Sequence, residues 1–281
     1  MSRRPVLPNF LIIGAAKAGT TSLAHYLRSH PQVYLADFEL HFFVAERRWR
    51  LGPAWYEAQF TGARDEVAVG EKSPSYTRHP RYRGVPGRIG ALLPAVRLIY
   101  LVRHPLQRIR SEYLHRALNG RERRPLDEAV LADPSYVDTS RYAFQIEQYL
   151  EHFDQAQLLV LTAEDLRHAR AATLAQVQTF IGVTPSWQPP ELKQEYNRTS
   201  QRPVRRPVAR PLRRLLNASV RVGMPPRTVE RLSYRSSSTT VDRAGVAFSD
   251  STRSRLEEEL RDDVRRLRRH LDADFNGWGI A

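Results

Sequence analysis

The sequence predicts an α/β fold of three layers, with a central parallel sheet flanked by helices. Three observations carry that prediction. Short apolar runs free of polar residues recur along the 281 residues, most are followed by apolar residues at helical spacing, and glycine or proline punctuates the junctions. Runs that are apolar throughout, rather than alternating, belong to strands covered on both faces. Parallel strands in turn need the helical crossovers that the intervening stretches supply.

The elements follow in order. The run Phe10-Leu11-Ile12-Ile13 stops at Gly14 and reads as the first strand. Thr20, Thr21 and Ser22 then offer N-caps, and Leu23, Tyr26 and Leu27 fall at i, i+3 and i+4, so a tight turn leads straight into a helix. Residues 67–70 form a short second strand and residues 96–102 a longer third. Pro105 then sits where the first turn of a helix tolerates it, and Leu106, Ile109, Tyr113 and Leu114 make one apolar stripe. A helix is expected over about residues 142–153 and a fourth strand over residues 158–161. Leu174, Val177, Phe180 and Ile181 mark the next helix, which Gly182 closes. Leu256, Leu260, Val264, Leu267 and Leu271 recur every three or four residues and define the last one. With no internal repeat and no long linker, residues 1–281 are expected to form a single domain. An arginine- and proline-rich excursion over about residues 188–248 interrupts it.

Composition excludes several classes of function. The chain has no cysteine, which removes disulfides, thiolate metal sites and cysteine nucleophiles. Its apolar share of 41% is too high for a disordered tail. The apolar run near the start meets glycine and Lys17 too soon for a signal peptide, and no stretch approaches the roughly 18 apolar residues of a membrane span, so a cytoplasmic chain without a transmembrane segment is expected. The 44 basic residues against 30 acidic give a net charge of +14, which points to an anionic partner without naming it. Arginine accounts for 41 of the 44 and lysine stands at positions 17, 72 and 193 alone, so each lysine invites a question. Eleven arginines and one acid, Glu230, lie between Arg198 and Arg235.

Lys17 lies in the loop Gly14-Ala15-Ala16-Lys17-Ala18-Gly19-Thr20-Thr21, which joins the first strand to its helix. Small residues let backbone N–H groups approach an anion, the helix N-terminus contributes its dipole and Lys17 a full charge. The cradle is P-loop-like, but the lysine lies two residues before the second glycine rather than one after it. The third strand ends in Arg103, where a nucleotide hydrolase of the P-loop type needs an acid to hold magnesium against the phosphates. A second anion is therefore expected to bind there directly, with Ser111 about two helical turns further on to help grip it.

These residues resemble the PAPS-dependent sulfotransferases, most closely the heparan-sulfate-sulfotransferase-like branch and its bacterial relatives. The matching segments are NFLIIGAAKAGTTSL at residues 9–23, FELHFF at 38–43, GEKSPSY at 70–76, YLVRHP at 100–105 with Ser111, and the closing LDADFNGW at 271–278. The resemblance runs over most of the chain and is weakest across residues 188–248. It implies an enzyme that moves a sulfuryl group from PAPS (3′-phosphoadenosine 5′-phosphosulfate) to a hydroxyl or amine of a glycan, glycolipid or small metabolite, releasing PAP, with no metal. Lys17, Ala18, Gly19, Thr20, Thr21 and Ser22 would hold the 5′-phosphosulfate, and Arg103 with Ser111 the 3′-phosphate. Lys17, assisted by Lys72, would stabilise the leaving oxygen. Glu39 matches the family's base and His41 a histidine that shares proton handling. Arg202 and Arg205 follow the YNRTS segment at 196–200 and would close over the 3′-phosphate. Phe38 departs from the family, which commonly carries lysine before the glutamate, and points to a less anionic acceptor.

Two other functions compete. A kinase or NTPase is favoured by the loop but disfavoured by the displaced lysine and by Arg103. A basic nucleic-acid-binding protein is favoured by the charge. It is disfavoured because no helix-turn-helix, zinc-finger, RRM or KH pattern is present and aromatics do not interleave the arginines, so no nucleic-acid partner is expected.

Overall fold

The computed structural model describes residues 6–189 and 245–281, together with the backbone of two strands at 204–207 and 234–237. The N-terminal half builds β1 (Phe10–Gly14), α1 (Thr20–Arg28), β2 (Val33–Leu35), α2 (Gly52–Glu57), β3 (Ala68–Lys72), α3 (Val85–Leu92) and β4 (Arg97–Val102). There follow α4 (Pro105–Leu118), α5 (Leu126–Ala132), α6 (Ser135–Asp138), α7 (Tyr142–Leu150), β5 (Leu158–Thr162), α8 (Ala163–His168), α9 (Arg170–Ile181) and α10 (Asp250–Leu267). The strands β6 (Val204–Pro207) and β7 (Tyr234–Ser237) pair antiparallel within the arginine-rich excursion.

The sheet runs β2-β3-β1-β4-β5 and every pair in it is parallel. Helices flank it, as the apolar runs predict. All five residues of β1 are buried, with Phe10, Leu11, Ile12 and Ile13 at 0% exposure, the condition for a strand covered on both faces. Register explains one glycine. Gly70 pairs with Phe10, and a Cβ at Gly70 would lie 2.4 Å from the phenyl ring. Connections from β1 lead to one side of the sheet, and those from β4 to the other. The loops after β1 and β4 therefore part above the strand ends and leave a crevice there, the usual ligand position in such sheets.

A second apolar cluster stands apart from the sheet core. Leu106 and Ile109 of α4, Leu126 and Val130 of α5, Tyr136 of α6 and Leu256, Leu260 and Val264 of α10 pack together. Ser249 caps α10 by accepting from the Thr252 amide. From the buried face of α10, Asp263 reaches across and accepts from the amides of Ala143 and Phe144 at 3.0 and 2.9 Å. It thereby caps α7, a helix that it approaches from 120 residues away.

The structure adjusts several expected boundaries. The second predicted strand, at residues 67–70, runs instead over Ala68–Lys72, so Lys72 closes the strand rather than following it. β2 went unpredicted because three residues carry too little periodicity. The helix expected over residues 142–153 ends at Leu150, and Leu271 lies past α10, beyond a 3₁₀ turn at Arg268–His270.

Replacing Asp263 leaves two α7 amides, one of them buried, without an acceptor. Asp263→Ala should destabilise the protein by about 1–2 kcal/mol in urea unfolding with an unchanged m-value. A midpoint equal to that of the wild type would show that the cap contributes nothing.

Candidate active site

The loop after β1 turns on two residues with left-handed backbone, Lys17 (φ 75°) and Gly19 (φ 96°). Glycine adopts that conformation freely; for Lys17 the surrounding contacts must hold it. Ala15 donates to the Leu101 carbonyl at 2.6 Å, which ties the loop to β4, and Ala18 donates back to Ala15 at 3.1 Å. Gly19 is the N-cap of α1, and among the described residues no side chain caps that helix. A helix N-terminus with small residues before it and no side-chain cap presents its amides and its dipole to an anion.

Lys72 ends β3 beside this loop. Its ammonium donates to Thr21 Oγ1 at 3.2 Å and to Glu39 Oε1 at 2.8 Å. Glu39 Oε2 lies 3.2 Å from His41 Nε2, and His41 Nδ1 lies 2.6 Å from Ser75 Oγ. The structure thus brings Thr21, Lys72, Glu39 and His41 into one contiguous chain. Partial burial would raise the Glu39 pKa, but the hydrogen bond from His41 and the charge of Lys72 outweigh it and lower the value to about 2. Burial lowers the His41 pKa, with the hydrogen bond to Glu39 opposing. The ring is then neutral near pH 7: Nε2–H donates to Glu39 and Nδ1 accepts from Ser75.

Arg103 follows β4 directly. Its Nη1 donates to the Lys17 carbonyl at 3.4 Å and its Nη2 to Gln107 Oε1 at 3.0 Å, so it spans the crevice between the β1 and β4 loops. Tyr142 Oη donates to the Arg103 carbonyl at 2.7 Å. Ser111 lies on the buried side of α4, in the helix that starts two residues after Arg103. Three charged groups therefore stand at the carboxyl ends of three adjacent strands, with Lys17 after β1, Lys72 closing β3 and Arg103 after β4.

The family model described as "Sulfotransferase domain" matches residues 7–207, well over half of the chain. The chain belongs to the sulfotransferase domain family. It is 35% identical over 187 residues to human heparan sulfate glucosamine 3-O-sulfotransferase 3B1, an alignment covering 63% of this chain and 46% of that protein. Mouse heparan sulfate glucosamine 3-O-sulfotransferase 5 is 30% identical over 192 residues, covering 64% and 54%. The chain thus spans about half the length of these relatives. Among solved structures, a sulfotransferase from Alicyclobacillus acidocaldarius superposes with a TM-score of 0.70 at 23% identity, over 98% of this chain and 99% of that one, a likeness of fold. The donor used by this family is PAPS.

Several residues near the crevice gave no sequence signal of their own. Arg48 donates to the carbonyls of Glu39 and Leu40 at 3.2 and 2.7 Å, and its guanidinium lies over the rings of Phe38 and Trp55 at 6.0 and 5.4 Å. A cation therefore stands against Phe38. A second charge cluster lies on α4. Burial would raise the Glu112 pKa, but Arg78, Arg108 and Lys17 outweigh it and hold the carboxyl well below the usual range. Arg108, fully buried, donates to Ser140 Oγ and the Tyr136 carbonyl. Phe42 and Phe43 are fully buried in the core, Phe42 stacked on Tyr56 and Phe43 edge-on to it. Arg202 and the side chain of Arg205 fall outside the described residues. No helix among the described residues is long and apolar enough to cross a membrane.

Removing the Lys72 charge should release Glu39. In Lys72→Met the carboxyl titration of Glu39, followed by carbon NMR, should move from about 2 toward the ordinary 4.5. A midpoint that stays near 2 would show that Lys72 does not hold it.

Proposed function

We propose that this protein transfers the sulfuryl group of PAPS to a glycan hydroxyl and releases PAP. The observation that carries the reading is Lys72, held between Thr21 of the loop and Glu39 across the crevice. One cation in contact with both an anion-binding loop and a carboxylate can serve the leaving and attacking sides of an in-line transfer.

The uncapped α1 N-terminus, with Lys17, Ala18, Gly19, Thr20, Thr21 and Ser22, is read as the cradle of the 5′-phosphosulfate. Arg103 with Ser111 takes the 3′-phosphate, and the crevice between the β1 and β4 loops suits a nucleotide bearing phosphates at both ends. During transfer the new O–S bond forms as the S–O bond to the 5′-phosphate breaks. Negative charge gathers on the departing phosphate oxygen, where Lys17 and Lys72 stabilise it. The acceptor hydroxyl loses its proton to Glu39.

A carboxylate of pKa about 2 is a poor base, and the ion pair explains how it is armed. When Lys72 turns toward the leaving oxygen, Glu39 loses its cation and its affinity for a proton rises. His41, neutral and fixed by Ser75, keeps the carboxylate oriented. The similarity to enzymes named for heparan sulfate glucosamine favours a glycan acceptor, and Arg48 against Phe38 supplies a positive charge that an anionic glycan would find near the base.

PAP should raise the thermal midpoint without magnesium, by the equivalent of about 2.7 kcal/mol at a hundredfold excess over Kd. Arg103→Ala should weaken PAP binding by roughly tenfold to a hundredfold while leaving the apo midpoint unchanged. Glu39→Gln should bind PAP with near wild-type affinity and lose turnover by about 10²–10⁴. Stabilisation by magnesium-ATP and not by PAP would turn the reading toward a kinase, and retained turnover in Glu39→Gln would remove it as the base.

A further inference from the structure

Successive residues of a strand face opposite ways, so the neighbour of Lys72 looks away from the crevice. That neighbour is Glu71, fully buried with 0% exposure. Among the described residues no basic side chain forms an ion pair with it. A buried carboxylate without an ion pair is costly unless hydrogen bonds replace its water. Here three do. Tyr76 Oη and Tyr56 Oη donate to Oε1 at 2.6 and 3.0 Å, and Ser73 Oγ donates to Oε2 at 2.6 Å.

The hydroxyls do not stop at Glu71. Having spent their hydrogens on the carboxylate, they offer lone pairs to the segment that carries the acid–base pair. Ser73 Oγ accepts from the His41 amide at 2.8 Å. Tyr76 Oη accepts from the Phe42 amide at 3.0 Å and the Phe43 amide at 3.5 Å. Three consecutive amides, from His41 to Phe43, are thus tied to one carboxylate, each through a hydroxyl. On the opposite side Arg48 holds the carbonyls of residues 39 and 40. Between the two, His41 keeps a left-handed backbone (φ 49°) that a non-glycine residue holds only when its surroundings enforce it.

We infer that Glu71 is a positioning residue that sets the geometry of Glu39 and His41 by ordering the amides of residues 41–43. This rests on the reading of Glu39 as the base. Two adjacent residues of β3 then serve the site from opposite faces. Lys72 touches the acid–base pair through its charge, and Glu71 fixes the backbone on which that pair is mounted.

Glu71→Gln tests the assignment, because it preserves size while replacing one acceptor oxygen with a donor. A hydroxyl facing the new donor must reverse, and its bond to the segment weakens. Three measurements on the full chain are read side by side: PAP affinity by calorimetry, the His41 imidazole titration by NMR, and PAP release from PAPS in the presence of heparan sulfate. PAP affinity should stay within about twofold, turnover should fall by about tenfold to a hundredfold, and the His41 midpoint should climb from below 6.5 toward that value as the ring gains water. Wild-type turnover together with an unmoved His41 midpoint would overturn the inference. Should Glu71→Gln fail to fold, Ser73→Ala leaves the Glu71 carboxylate in place but removes the hydroxyl that links it to the His41 amide, and must shift the same two readouts in the same directions. A wild-type protein that neither binds PAP nor releases it from PAPS would sink the sulfotransferase reading instead, and the His41 titration would still decide the role of Glu71.

Discussion

Pairing of β1 with β3 on one side and β4 on the other is the constraint on which the remainder depends. β1 is fully buried, so its register with both neighbours is fixed by packing, with Ile12 opposite Lys72 on one flank and opposite Ile99 on the other. Once that register is set, the loop with Lys17, the end of β3 and the start of the Arg103 segment all emerge at one edge. Three cations would repel one another if they had no anions to face. Glu39 meets Lys72 directly, and Glu112 lies within the field of Lys17. In a partly desolvated cleft such pairs are worth more than on the surface, and they dictate which protonation states the site holds.

The net charge of +14 has little to do with this arrangement. Much of the arginine surplus falls between Arg198 and Arg235, whereas the crevice is organised by a few basic groups, each with a defined partner. Arginine dominates the composition, yet two of the three lysines stand at the crevice. An ammonium on a flexible stem can swing between partners, and Lys72 already has two within reach.

Much of this was legible in the sequence. β1, β4 and β5 announce themselves as unbroken apolar runs, and the glycines and hydroxyls at residues 14–21 mark the loop because backbone approach and helix capping demand those residue types. Glu39, His41 and Lys72 were legible through family resemblance, not through spacing, since 33 residues separate the glutamate from the lysine it contacts. Other features were hidden for physical reasons. Arg48 acts on backbone carbonyls, which every residue possesses, so nothing in its neighbourhood singles it out among 41 arginines. Ser75 matters through a single hydrogen bond across a fold. Glu71 stood beside Lys72 within one motif, and a strand's alternation sends the two to opposite faces. The motif could not say that one belongs to the crevice and the other to the core.

The cap that Asp263 places on α7 bears on how the crevice is completed as the chain folds. α7 carries Tyr142, whose hydroxyl supports the Arg103 carbonyl, and α7 is itself held by a carboxylate 120 residues downstream. All the glycine-rich and lysine-bearing segments lie upstream of that support. A growing chain that has emerged through β5 already contains the Lys17 loop, Lys72 and Arg103 and can pair its strands, but Arg103 lacks its brace until α10 docks. The order of synthesis and the order of assembly therefore part company, and such a distant contact is closed late because its loop entropy is large.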